Sequence, residues 1–400
     1  MTSMKNLNAN RRRFVQGVAA GAAAAAFIPG RFAIGGMAKV KVGILLPYSG
    51  TYAFLGEKIT AGMKLAINQA GGKPGGRDIE YVQLDSEAKP PKATDNTNKL
   101  ITGENIDFLV GPVHSGVAMA MAKIAREEKI ITIVPNAGAN QLTGSLCAPN
   151  IFRTSFSNWQ PSYPSGKVVY DDGHRNVVTM AWNYGAGKQA LGGFTQGFEG
   201  AGGKVVKQIL TPFPKVEFQA YLTEIASLKP DAVFVFYAGG GAIKFVKDYA
   251  AAGLKDKIPL YSSGFLTEGT LKAQGAAAEG IKTTLHYVDT LDNPANRTFR
   301  PAFKKTTGKD ADVYAVQGYD TGKLLVQAME SVKGDTGAQQ ALIAAMESMV
   351  IDSPRGEWSF SKAHNPVQDF YLRQVVGGEN KFLGVAHKAL AHPAKGCRMG

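Results

Sequence analysis

The sequence predicts an α/β protein of two doubly wound, parallel-sheet domains with a late return of the chain. Three observations carry this. The strand-like runs after residue 38 are near-continuously apolar, as in Val177-Val178-Thr179-Met180-Ala181-Trp182 and Ala232–Phe236, and such runs belong to parallel strands covered on both faces. Stretches at helical period separate them, which is the βαβ rhythm. The rhythm also runs twice, over residues 40–150 and again over 175–285.

The elements follow in order. Lys41–Leu46 is a β-branched run ended by Pro47, and Lys58–Gln69 follows at helical period with Ile59, Met63, Leu65, Ala66 and Ile67 inward. Ile79–Leu84 reads as a strand, Pro91–Ile101 as a helix, Phe108–Val110 as a strand, Gly116–Glu128 as a helix and Ile130–Val134 as a strand. The second set holds strands at Val177–Trp182, Val205–Leu210, Ala232–Phe236 and Leu260–Ser262, with helices at Lys188–Ala201, Phe218–Leu228 and Ile243–Ala252. Helices at Phe299–Thr307, Ala311–Val332 and Thr336–Ser348 come next, then strand-like Gly356–Phe360 and Phe370–Val376. Two such domains facing each other place a cleft beyond the carboxyl ends of their strands.

Residues 1–38 read as an export signal. Arg11-Arg12-Arg13-Phe14-Val15-Gln16 has the twin-arginine pattern, Gly17–Ile28 is a short apolar stretch, and Gly36-Met37-Ala38 offers a small-x-small cleavage site. That apolar stretch is 12 residues long, against the roughly 20 that a spanning helix needs, so membrane insertion is not expected. The chain carries +13, of which residues 1–38 hold five cations and no acid, leaving +8 spread along the remainder. Nucleic-acid binding needs a concentrated basic stripe, and none is present in the sequence. In an oxidising compartment the two cysteines, Cys147 and Cys397, suggest a disulfide tying the tail to the body; two free thiols are the alternative.

The sharpest local pattern is Phe108-Leu109-Val110-Gly111-Pro112-Val113-His114-Ser115-Gly116. A buried strand ends, the chain turns, and Ser115 stands at the expected N-cap of a helix. Open N–H groups at a helix start bind anions, and without an adjacent Lys or Arg a carboxylate fits better than a phosphate. An ordinary N-cap serine is the other reading. His114 is either a ligand donor or a loop residue. Small residues in Pro135-Asn136-Ala137-Gly138-Ala139-Asn140 let a ligand approach the backbone, or form a plain turn. Gly185-x-Gly187-x-x-Ala190 imitates a dinucleotide fingerprint, but no acid ends the next strand, so no cofactor is expected. Tyr184 suits a cleft wall. There is no nucleophile elbow, Walker loop or HxxxH spacing, so an enzyme is not expected.

The chain resembles the leucine/isoleucine/valine-type periplasmic substrate-binding proteins of ABC importers. The motifs are Val42-Gly43-Ile44-Leu45-Leu46-Pro47-Tyr48-Ser49-Gly50, Leu55-Gly56, Gly62-x-x-Leu65-Ala66-Ile67-Asn68, Gly71-Gly72, Gly111-Pro112 with Ser115, and Pro135 with Leu142-Thr143. Phe152-Arg153-Thr154, Asn183-Tyr184-Gly185, Gly239-Gly240, Tyr314-Ala315 and Gly318-Tyr319-Asp320 complete the series. The resemblance implies a type I periplasmic binding fold with a three-crossing hinge near Thr154–Ser157, Leu285–Tyr287 and Ser353–Glu357. It assigns 39–155 and 287–354 to the first lobe, 156–286 and 355–390 to the second, and 391–400 to a tail. It implies a monomer in the periplasm that delivers a small molecule to a membrane permease. It places a ligand carboxylate on Ser115 and on backbone near Asn136, Ala137 and Gly138, and brings Tyr184, Tyr237 and the residues after the strands ending at Tyr237 and Ser262 from the second lobe.

Amino-acid binders of this family place an acid after the last of those strands to pair with the ligand ammonium. Here Tyr261-Ser262-Ser263-Gly264-Phe265 has none, and Glu268 lies further on. A buried ammonium without a partner is costly. The expected ligand is therefore a carboxylate lacking an α-amine, such as a benzoate-like or phenylpropenoid acid, walled by Phe265, Tyr184, Tyr52, Phe54 and Trp159. A branched-chain amino acid, a ligand sensor's effector and an exported enzyme's substrate are the rival expectations.

Overall fold

The computed structural model describes residues 38–399, so the export-signal reading lies outside the described residues. The first βα set comprises β1 (Val40–Leu46), α1 (Ala53–Gln69), β2 (Ile79–Asp85), α2 (Pro90–Asn98), β3 (Phe108–Val110), α3 (Ser115–Glu127), β4 (Ile131–Val134) and β5 (Ile151–Arg153). The second comprises α4 (Tyr163–Asp171), β6 (Asn176–Trp182), α5 (Gly185–Gly200), β7 (Lys204–Thr211), α6 (Gln219–Leu228), β8 (Ala232–Phe236), α7 (Gly239–Ala251), β9 (Leu260–Ser263), α8 (Leu271–Gln274) and β10 (Lys282–Leu285). The return holds α9 (Pro294–Thr307), α10 (Val313–Ser331), α11 (Gln339–Glu347), β11 (Val350–Ile351), β12 (Trp358–Phe360), β13 (Pro366–Val376) and β14 (Glu379–Leu390).

The first sheet is parallel throughout, in the order β2-β1-β3-β4-β5. The second sheet runs β7-β6-β8-β9-β10 in parallel, then turns antiparallel at β13, which also carries β12 and β14. Strands β1, β3, β4, β6, β8 and β9 are buried almost end to end, which is why they read as continuous apolar runs.

Four helices start earlier than the sequence pattern suggests. Helix α1 begins at Ala53 after a short 3-10 turn over Gly50–Tyr52, α5 begins at Gly185, α7 begins at Gly239 and α9 begins at Pro294. In α5 and α7 a glycine-containing first turn hides the helical period without preventing the helix. Strands β5, β10, β11 and β14 and helices α4 and α8 are additional to the sequence reading. Helix α4 opens Tyr163-Pro164-Ser165-Gly166, a composition that reads as loop, yet proline is at home in a first turn.

The return segment packs α10 tightly on α1. A Cβ on Gly62 would lie 2.1 Å from the Ala315 carbonyl oxygen, and one on Gly318 would lie 1.9 Å from that of Ile59. Glycine at both positions lets the two backbones touch. Between the sheets the first and third crossing segments are bonded directly. Arg355 donates to the Thr154 carbonyl at 2.7 Å, and Thr154 Oγ1 and Thr321 Oγ1 lie 2.7 Å apart. Cys147 and Cys397 are joined, so the tail after β14 is tied to the loop before β5.

Just past the second crossing, burial pushes the Asp289 carboxyl up to about 7, with Glu268 adding to the effect. An acid whose folded pKa is raised contributes stability at low pH that is lost as pH climbs from about 4 to the folded value. Asp289→Asn removes this loss. The variant is expected to melt above the wild type at pH 8 and level with it at pH 4, as thermal melts at the two pH values will read.

Candidate functional site

The carboxyl ends of the two sheets face a common cavity. From the first βα set come Tyr52, Leu55, Val113, Ser115, Asn136 and Gly138. The second supplies Tyr184, Ala186, Phe236, Ala238 and Phe265; Phe156 and Asn158 come from the first crossing and Tyr314 from α10. The two sides also meet directly, through Tyr52 OH and Tyr184 OH at 2.9 Å and through the Gly241 N–H donating to Thr51 Oγ1 at 3.3 Å.

One end of the cavity is a set of neutral donors. Ser115 is the first residue of α3, and its own N–H has no partner within the helix. The next two N–H groups, of Gly116 and Val117, donate to His114 Nδ1 at 3.1 and 3.4 Å. Asn158 Nδ2 donates to Ser115 Oγ at 3.2 Å and to Gln189 Oε1 at 2.8 Å, which uses both amide hydrogens. Ser115 Oγ thus accepts inside the protein, and its hydroxyl hydrogen remains free to donate. The Ser115 N–H and hydroxyl are thus the donors left open at the start of α3.

The rest is aromatic. Phe156 and Phe265 rings lie 4.7 Å apart at 38°, and Tyr314 stacks over Phe265 at 6.3 Å. Burial pushes the Tyr52, Tyr184 and Tyr314 phenols upward, so all three stay protonated at neutral pH. In the Tyr52–Tyr184 pair one phenol donates to the other, leaving one proton over, and Tyr314 OH is buried with no partner among the described residues. No lysine, arginine, aspartate or glutamate lines the cavity.

Glu268 is already engaged. Its Oε2 pairs with Arg373 Nη1 at 2.7 Å and its Oε1 accepts the Val313 N–H at 2.8 Å, with both side chains buried. Both oxygens are thus bonded to the protein, and Glu268 does not line the cavity.

A family model described as periplasmic binding protein matches residues 39–380. The chain belongs to the periplasmic binding protein family. A "Leu/Ile/Val-binding protein homolog 6" of Brucella melitensis is 32% identical over 348 residues, covering 85% of this chain and 88% of the relative. Among solved structures, a solute-binding protein of an ABC transporter from R. palustris in complex with benzoate is 53% identical with a TM-score of 0.88, over 90% of this chain and all of that one. Another, from Rhodopseudomonas palustris BisB5 in complex with 3,4-dihydroxybenzoic acid, is 32% identical with a TM-score of 0.84, over 89% of this chain and 99% of that one. These relatives are substrate-binding transport proteins. Among the described residues of this periplasmic binding protein, no helix is long and apolar enough to cross a membrane.

Of the residues singled out in the sequence, Tyr52, Ser115, Asn136, Gly138, Tyr184 and Phe265 line the cavity of this binding protein. Four others do not. His114 takes the N-cap position expected of Ser115, because its Nδ1 reaches two N–H groups of the first turn, and its ring stacks on Tyr184 at 4.5 Å. Ala137 sits between Asn136 and Gly138, fully buried, with its N–H on the Pro112 carbonyl. Tyr237 turns into the core against Trp182, Phe218 and Phe245, with its OH on Thr211. Phe54 meets the edge of Tyr314 from behind. Trp159 stacks on Tyr163 and donates to Gln196, also outside the cavity. Sequence reasoning missed Phe156, Asn158, Phe236 and Tyr314. For Tyr314 a signal was present in the Tyr314-Ala315 motif.

Proposed function

We propose that this periplasmic binding protein captures an aromatic carboxylate between its lobes and delivers it to the permease of an ABC importer. The observation that carries the reading is the uncharged cavity, with no acid on its walls and with Glu268 bound to Arg373. A carboxylate is accepted by Ser115 Oγ–H and the α3 start, and the ring fills the slot of Phe156, Phe265 and Tyr314. Ring hydroxyls find donors and acceptors in the phenols. An α-amino group finds no charge partner, and a buried ammonium left so is costly. The benzoate and dihydroxybenzoate bound by the two solved relatives agree with this ligand class.

The ligand touches both lobes, so its differential affinity favours their approach. The crossings at 154–157, 285–287 and 353–357 act as the hinge between lobe 1 (39–155 and 287–354) and lobe 2 (156–286 and 355–390). The protein works in the periplasm as a monomer, exported by the twin-arginine route through residues 1–38.

A thermal-shift and calorimetric panel tests the ligand class. Benzoate and 4-hydroxybenzoate are expected to raise the melting temperature and leucine to leave it unchanged, since stabilisation scales with ligand excess over Kd. A shift with leucine alone overturns the reading. Ser115→Ala is expected to weaken benzoate binding by about 1.5–3 kcal/mol, the worth of a hydrogen bond to a charged group. Unchanged affinity would move the carboxylate away from α3.

A further inference from the structure

A second recess lies on the other side of Tyr184, whose ring is shared with the cavity. Pro90 and Pro91 of the first lobe and Phe213 and Pro214 of the second line it, together with His114. The His114 and Tyr184 rings stack at 4.5 Å and 12°, and Phe213 lies 5.0 Å from each of them. The charged side chains at its rim, Glu87, Asp95, Lys89 and Lys92, cancel, and both lysines pair with Glu87.

His114, which lines this recess, holds an unused donor. Its Nδ1 accepts two N–H groups and therefore carries no proton. Burial lowers the pKa of the ring to about 4, so at neutral pH it is uncharged and the single proton sits on Nε2. Nε2 is buried and has no partner among the described residues, and the residue as a whole is 6% exposed. A buried donor without an acceptor is destabilising, and native proteins seldom leave one so unless water or a ligand completes it.

We propose that this recess is an outer subsite for an aromatic ring bearing a neutral acceptor oxygen, the ring packing on Phe213 and the prolines and the oxygen taking the His114 Nε2–H. The ring belongs either to a second small molecule or to the far end of one long aromatic acid that also fills the cavity. The subsite stands on its own residues and does not require the carboxylate reading of the cavity.

Acetophenone, which has a ring and a ketone oxygen but no carboxylate, probes the outer subsite alone by ligand-observed NMR. The wild type is expected to bind it, and Asn183→Trp, which fills the recess from its exposed rim, to lose it. His114→Asn keeps a capping acceptor and is expected to weaken acetophenone about tenfold through the lost hydrogen bond. Benzoate affinity and melting temperature in Asn183→Trp serve as controls for the cavity and the fold. Simultaneous binding of benzoate and acetophenone identifies a second molecule. If 4-benzoylbenzoate binds tighter than benzoate and Asn183→Trp erases the gain, one long ligand is identified. The proposal is overturned if the wild type ignores acetophenone and gains nothing with 4-benzoylbenzoate, or if Asn183→Trp changes neither. Failure of benzoate to bind while acetophenone binds would sink the cavity reading and leave the outer subsite standing.

Discussion

Glu268→Ala is expected to destabilise the protein by about 3–5 kcal/mol, the cost of leaving one partner of a buried ion pair alone. Arg373 would keep its bonds to the Gly264 and Tyr287 carbonyls at 2.9 and 3.0 Å and to Thr283 Oγ1 at 3.1 Å, but would lose the carboxylate it is bonded to. The Val313 N–H at the start of α10 would lose its acceptor as well. Glu268 thereby ties the second lobe to the helix that packs on α1. Urea unfolding reads the loss. The diagnostic part is what stays the same: the folded variant is expected to keep its preference for aromatic acids over leucine. A variant of wild-type stability that binds ligand poorly would mean that Glu268 serves the cavity instead.

That outcome bears on what the sequence can reveal. The absence of an acid in Tyr261-Ser262-Ser263-Gly264-Phe265 was visible, but the occupation of Glu268 by Arg373, 105 residues away, was not. The fold was legible because parallel strands buried on both faces leave an unbroken apolar signature. Strand β14 has no such signature; most of its residues are exposed or half-buried. Site residues failed by single steps. Phe236 faces the cavity and Tyr237, the next residue, faces the core, as alternation along extended chain requires. The same step separates Ala137 from Asn136 and Gly138, and His114 from Ser115. Composition locates such a segment and does not fix its facing. Phe156 and Asn158 were beyond reach for another reason. They sit in an irregular crossing whose path over Gly138 is set by tertiary packing.

That path makes Gly138→Ala the substitution with the largest expected effect on binding. A Cβ there would lie 2.3 Å from Asn158 Oδ1, 2.7 Å from Phe156 Cε2 and 2.8 Å from the Asn158 backbone nitrogen. Rotating one side chain cannot relieve all three contacts, because one of them is main chain held by the 2.6 Å bond from the Asn158 N–H to the Gly138 carbonyl. The crossing must shift. Its shift moves the amide that orients Ser115 Oγ and the ring that walls the slot. Overpacking of this kind costs about 1–3 kcal/mol, and loss of the carboxylate's bond to Ser115 adds about 1.5–3 kcal/mol. Benzoate affinity is therefore expected to fall further in Gly138→Ala than in Ser115→Ala, in calorimetric titrations run side by side. Asn158→Ala removes the same orienting amide by another route. Substitutions that act through one group are not additive, so Gly138→Ala/Asn158→Ala is expected to bind no worse than Gly138→Ala alone. Full additivity of the two losses would show that Gly138 and Asn158 act on the ligand separately, and that the crossing does not transmit the effect.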